Sequence, residues 1–182
     1  MLIRSRMGVS ADGFVAGPDQ IPAIALMPGF EPAVSHGFPE FFAGCDSVVM
    51  GRSTFVAGVQ APRFPWPGVS VYVLTTQPLP AGSPDGVSSA ASAAGLARLL
   101  RTRGSDGDVH LVGGPQTIRA FYEAGQLDRL ELVVLPMLLG TGVPLSPAGS
   151  PAMPLELLRS DRVFADGSAE LVYAPRAARQ AG

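Results

Sequence analysis

The stretch at residues 109–125, VHLVGGPQTIRAFYEAG, constrains the fold more than any other part of the chain. Val109, Leu111 and Val112 make the short apolar run of a buried strand. Gly113 and Gly114 then permit a sharp turn and close approach by another group, and Pro115 suits the first turn of a helix. Ile118, Phe121 and Tyr122 continue at helical spacing to Gly125, a natural terminator. A strand that turns through glycine into a helix aims backbone N–H groups and the positive end of the helix dipole at one point. That geometry suits a phosphate. An ordinary strand-to-helix connection has the same local pattern, so the stretch defines a βα unit before it defines a site.

Around this unit the chain reads as strands alternating with helices. Residues 2–9 form a first strand ending in the Ser10-Ala11-Asp12-Gly13 turn, where Asp and Gly hold favoured places. Residues 18–32 are an apolar Pro/Gly-rich loop carrying Ile21, Ile24, Leu26, Met27 and Phe30, placed to cover a pocket or to pack irregularly. A helix follows over 35–44, with Phe38, Phe41 and Phe42 near one face and Cys45 at its end as a buried thiol. Residues 47–50 are a short buried strand, 57–69 a Pro/Gly-rich loop around Trp66, 69–75 a strand and 87–88 a short strand. Residues 90–103 read as a helix burying Leu96, Leu99 and Leu100 against arginines on its other face. After the central unit come a strand at 130–135, a Gly/Pro-rich segment at 138–154, and strands at 155–164 and 169–173 joined through Asp166-Gly167. Residues 175–182 read as a frayed tail. The predicted fold is α/β, a mostly parallel central sheet flanked by helices with an antiparallel C-terminal hairpin, in a single domain over 1–174.

Composition narrows the function. An apolar share of 47% against 15% charged describes a well-buried globular chain of 182 residues. A formal net charge of −2 without a basic run argues against a broad nucleic-acid surface. No apolar run reaches membrane-span length, and residues 1–13 lack the pattern of a signal peptide, so a cytoplasmic protein is expected. His36 and His110 lie in separate segments without metal-ligand spacing. His110 alternates with Leu111 as a strand residue does, and no GxSxG elbow supports a hydrolase.

Three strand ends carry the chemistry. One ends in Gly51-Arg52-Ser53-Thr54, one in Thr75-Thr76-Gln77, and one in Gly113-Gly114-Pro115-Gln116-Thr117. Open α/β sheets bind ligands beyond the carboxyl ends of their strands. Hydroxyls, glycine backbone and a guanidinium all suit phosphate oxygens, and one cofactor with several phosphates would account for all three ends.

With these pieces in view, the chain resembles the dihydrofolate reductase-like superfamily, and within it the reductase domain of riboflavin biosynthesis. The matching segments are SADGFVAG (10–17), VVMGRSTF (48–55), VYVLTTQPLP (71–80), HLVGGPQTIRAF (110–121) and PMLLGTGVPL (136–145), in the family's order and spacing. The resemblance implies an NADPH site, hydride transfer to a small pterin- or pyrimidine-like substrate, and a homodimer. By position it puts Gly51, Arg52, Ser53 and Thr54 at the cofactor's phosphates, Thr75 and Thr76 at the adenosine side, and Gly113, Gly114, Pro115, Gln116 and Thr117 at the pyrophosphate. A planar Arg52 fork matches a 2′-phosphate, which favours NADPH over NADH. Residues 10–16 would lie along the nicotinamide, with Asp12 a candidate catalytic carboxylate or a hydrogen-bonded turn residue.

Two positions depart from the riboflavin-pathway pattern. The lysine four residues before the serine of SxDG is Arg6, which stays protonated, and the glutamate before Gly-Gly is Val112, which has no acid function. The carboxylate that reads the pteridine in dihydrofolate reductases has only Glu40, beside Pro39, as a counterpart. The readings that follow are a reductase of a small heterocycle, an NADP(H)-binding protein without turnover, and 5-amino-6-(5-phosphoribosylamino)uracil reductase. The segment 138–154 is expected to border the substrate pocket or a dimer contact.

Overall fold

A computed structural model describes residues 1–31 and 34–176. The tail expected over 175–182 lies outside the described residues from 177 onward, and position 32 of the apolar loop does too. By internal contacts the chain groups into two compact units, one of residues 1–5 and 42–127 and one of residues 6–41 and 128–182.

The first unit is the parallel part of the fold. Strand β1 (Ile3–Ser10) contributes its first residues to it, beside β3 (Cys45–Gly51), β4 (Ser70–Leu74), β5 (Ser88–Ala90) and β6 (Asp108–Gly113). Their order is β5-β4-β3-β6-β1, and neighbouring strands run parallel. Parallel neighbours need long crossovers, which helices supply. Here these are α2 (Arg52–Gln60), α3 (Ala93–Thr102) and α4 (Pro115–Glu123). The core gathers Val48, Met50, Phe55, Val71 and Val73, with Phe64, Trp66 and Val112 packed against it. Phe55 is fully buried, so Phe55→Ala would cost about 3–5 kcal/mol.

Three expectations for this unit are corrected. Residues 57–60 are helix rather than loop: α2 runs on through Gly58, where an added Cβ would lie 2.7 Å from the Trp66 ring. Glycine is a poor helix former, but here the indole takes the space a side chain would need. The helix near 90–103 starts only after Ser92, whose hydroxyl caps it by accepting from the Gly95 N–H at 3.1 Å. Its buried face is Ala93, Leu96, Ala97 and Leu100, while Leu99 is 40% exposed. Cys45 opens β3 instead of closing a helix, and it is half-buried.

The second unit is largely antiparallel. The rest of β1 lies in the order β1-β7-β10-β9, with β7 (Arg129–Leu135), β9 (Leu155–Val163) and β10 (Ala169–Pro175). Strand β10 pairs antiparallel with both β7 and β9, and Phe164 to Ser168 close the hairpin through Asp166-Gly167. A small antiparallel sheet joins β2 (Phe14–Ala16) to β8 (Val143–Pro144). The apolar loop folds in part as a short 3-10 helix, Ala23–Leu26, burying Ile24 and Met27 with Phe38, Val133 and Leu135. Helix α1 is Phe38–Ala43, shorter than the expected 35–44 because His36 and Gly37 take left-handed φ values of 55° and 69°. Phe38 and Phe41 are buried and Phe42 is exposed.

Candidate functional site

The site builds from three strand ends of the first unit. Since β4, β3 and β6 are parallel neighbours, their carboxyl ends fall on one edge. Gly51 stands opposite Leu74, and Met50 opposite Gly113. Two helices start there. Helix α2 follows β3 directly with Gly51 as N-cap, and α4 follows β6 with Gly114 as N-cap and Pro115 in its first turn. Neither N-cap carries a side-chain capping bond, as glycine has none to give. Two positive helix ends therefore face the same edge, a setting that favours an anion.

Glycine is required at specific points of this edge. Gly113 has φ +123°, a region that side chains rarely adopt, and the Gly113–Gly114 peptide is cis. An added Cβ on Gly114 would meet nothing within 4 Å, so the backbone there borders open space. An added Cβ on Gly51 would lie 2.6 Å from Thr117 Oγ1. The buried Thr117 hydroxyl thus lies against the backbone at the end of β3 and joins two of the strand ends.

Arg52 joins the third. Its Nη1 donates to the Pro78 carbonyl, just past the end of β4, which fixes the guanidinium across the 75–78 segment and leaves further N–H donors. Thr75 closes a local turn: its hydroxyl accepts from the Gln77 N–H at 3.0 Å, and its own N–H donates to Ala90. Thr76, Ser53 and Gln116 are exposed, and Thr54 is half-buried. The structure brings Gly51, Arg52, Ser53, Thr54, Thr75, Thr76, Gly113, Gly114, Pro115, Gln116 and Thr117 into one unit, along one sheet edge. The donor set of backbone N–H groups, hydroxyls and one guanidinium fits a polyphosphate.

Asp12 belongs to the second unit. Its carboxylate accepts from the Ser10 hydroxyl at 2.5 Å, from the Gly140 N–H at 2.7 Å and from the Leu139 N–H at 3.1 Å. The Ser10 hydroxyl, then the Gly140 N–H, hold the Asp12 carboxyl below the usual carboxylate range. An ionised carboxylate fastening the 138–142 segment is a poor proton donor. The segment is held again at Gly142, where an added Cβ would lie 2.2 Å from the Ala16 carbonyl oxygen.

Arg6 and Val112 sit at the two positions that depart from the riboflavin-pathway pattern. Arg6 is 3% exposed. Its Nη1 contacts Glu131 Oε2 at 2.9 Å and Glu170 Oε1 at 2.6 Å, its Nη2 donates to the His36 carbonyl, and the guanidinium lies over the Phe38 ring. Arg159 also pairs with Glu170, so two arginines face two buried carboxylates. Val112 packs against the core cluster of the first unit. Sequence reasoning gave no warning that Glu131 and Glu170 would meet Arg6. Burial alternates in β10 through Glu170 and Val172, but β7 buries Leu130 to Val133 in succession, and only the strand pairing makes the two glutamates neighbours.

Strand order, the β6–α4 glycine turn and the small antiparallel sheet define a dihydrofolate reductase-like fold. The model of the RibD C-terminal domain matches residues 71–168, and the chain belongs to that family. It is 31% identical over 147 residues to the Bacillus subtilis protein YwjB, itself uncharacterized, covering 76% of this chain and 79% of that one. Among solved structures it is similar to a Shewanella protein provisionally named for riboflavin biosynthesis, with TM-score 0.76 and 23% identity, covering 97% of this chain and 100% of that one. It is also similar to the Enterococcus faecalis dihydrofolate reductase complexed with NADP(H), with TM-score 0.63 and 17% identity over 97% of both chains.

Proposed function

We propose that the protein is an oxidoreductase that uses NADPH to reduce a small heterocyclic substrate of the pterin or pyrimidine kind, working as a homodimer. The observation that carries this reading is the meeting of the three strand ends, with Thr117 against Gly51 and Arg52 held over the 75–78 segment. When bound, the cofactor would supply a hydride to a C=N or C=O carbon. The chain's part is to hold it. Backbone N–H groups at Gly113, Gly114 and the starts of α2 and α4 would take the pyrophosphate, Thr75 and Thr76 would face the adenosine side, and Arg52 would take the 2′-phosphate. Family membership and the NADP(H) complex of the Enterococcus reductase support a nicotinamide cofactor. The test is thermal: NADPH should raise the melting temperature more than NADH, and a panel of pterins, flavin precursors and quinones should reveal substrate-dependent oxidation of NADPH.

Two observations favour a second reading, an NADP(H)-binding protein without turnover. Asp12 already accepts hydrogen bonds from Ser10, Leu139 and Gly140, and Val112 packs against the core where an acid would stand. Cofactor binding with no oxidation across the panel would select it. The same Val112, with Arg6 spent on Glu131 and Glu170, argues against the phosphoribosylaminouracil substrate.

A further inference from the structure

The first unit holds a cavity of about 430 Å³ that the nucleotide reading does not use. It lies at the amino ends of β4 and β5, lined by Ser70 and Val71 from β4 and by Val87 just before β5. The phosphate-suited strand ends are at the opposite, carboxyl ends of the same strands. Its volume falls in the lower part of the range that small-molecule sites occupy.

The walls are set rather than loose. Trp66 meets Phe64 edge-on with ring centroids 5.5 Å apart, and Phe64 meets the buried Phe55 edge-on at 6.3 Å. The Trp66 indole in turn rests on the α2 backbone at Gly58, where a Cβ would lie 2.7 Å from its ring. Val71 is buried in the core, and Val87 packs against it. Phe64, Trp66, Val69, Val71 and Val87 give the cavity apolar walls, and Ser70, Asp85 and the backbone around Gly68 and Gly86 give it a polar share of similar extent. Asp85 is the one ionisable side chain in the lining, on the exposed rim. Aromatic walls and a carboxylate at the mouth both attract a planar cation, the first through stacking and the second through a charge-assisted hydrogen bond.

We infer that the cavity beside Phe64, Trp66 and Asp85 is a second ligand site, for a single-ring aromatic cation carrying an amidinium or ammonium group. The ring lies against Phe64 and Trp66, and the cationic end stays at the rim against Asp85. Because that carboxylate is exposed, it adds only about two- to fivefold in affinity, and contact with the aromatic walls supplies the rest.

Trp66 is the chain's single tryptophan, so its fluorescence reports the site directly. Titrations would use benzamidine, with neutral benzamide and anionic benzoate as controls, in the absence of nucleotide. The expected result is a saturable change with benzamidine, about two- to fivefold tighter than benzamide and tighter still than benzoate. Asp85→Asn should erase the preference for benzamidine. Ser70→Phe, at the exposed first residue of β4, should fill the mouth and remove saturation while the thermal midpoint stays in place. Quenching that grows linearly and equally with all three probes, or saturation that neither variant alters, would overturn the site.

Discussion

The hydroxyl of Thr117, in the first turn of α4, lies so close to the Cα of Gly51 that a Cβ there would stand 2.6 Å from it. The end of β3 and the first turn of α4 therefore approach each other with only the Thr117 side chain between them. A diphosphate laid along this edge would meet two helix starts together. That contact ties the phosphate reading to particular atoms and exposes it to simple substitutions.

Arg52→Ala should weaken NADPH binding by about tenfold or more while leaving NADH nearly unchanged, since hydrogen bonds to charged groups contribute about 1.5–3 kcal/mol. Calorimetric titration of both nucleotides checks it. Equal losses for the two would remove the 2′-phosphate from the Arg52 assignment.

Gly113→Ala places a Cβ at φ +123°, at a cost of about 1–3 kcal/mol. Nothing surrounds the added methyl within 4 Å, so the loss comes from backbone strain and not from a clash. Chemical denaturation should show the lower stability, and nucleotide titration should show weaker binding as the turn relaxes.

Asp12→Asn should lower the thermal midpoint, because a neutral amide holds the Gly140 and Leu139 N–H groups less well than an ionised carboxylate. The depressed pKa means that this stabilisation is present above the ordinary aspartate range and disappears as pH falls through the folded value. If Asp12 is an anchor, NADPH oxidation with an active substrate should stay within a few-fold of the parent. Loss of a general acid would instead lower turnover by about a hundredfold or more.

Arg6→Met should destabilise the protein by about 3–5 kcal/mol, since it leaves Glu131 and Glu170 buried without their shared cation. Replacing all three with Arg6→Met, Glu131→Leu and Glu170→Leu should recover most of that loss. Urea unfolding midpoints decide it, and a mild effect of the single change would show that the cluster is more hydrated than its burial indicates.

The hairpin turn makes a separate pH prediction. Burial pushes the Asp166 carboxyl up, but the Ser168 hydroxyl and N–H and the His36 ring outweigh it and lower the pKa to about 2. Stability from this group is therefore complete above about pH 4 and fades as pH falls toward 2. Melting temperature followed from pH 5 to pH 2 should fall less steeply for Asp166→Asn than for the parent.

The βα units were legible because each step of their local chemistry agrees: apolar strand, glycine, proline, amphipathic helix. The 109–125 stretch folds as β6 and α4 with boundaries shifted by a residue or two, and the Asp166-Gly167 hairpin stands where its turn residues put it. Reading failed where a distant partner sets the structure. Gly58 looked like a loop glycine, but it sits in a helix beneath Trp66. Leu99 looked like core because its spacing fits, yet the turn of α3 leaves it outside.

The sequence alone determined the alternation of strands and helices, the glycine turns and the types of group at each strand end, because these follow from periodicity and backbone freedom within a few residues. Only the tertiary structure decided that β3, β4 and β6 are neighbours, that Arg52 reaches the Pro78 carbonyl, and that Arg6 is spent on two glutamates far along the chain. Strand order is settled by how apolar faces pack together, and no local run of residues encodes that choice.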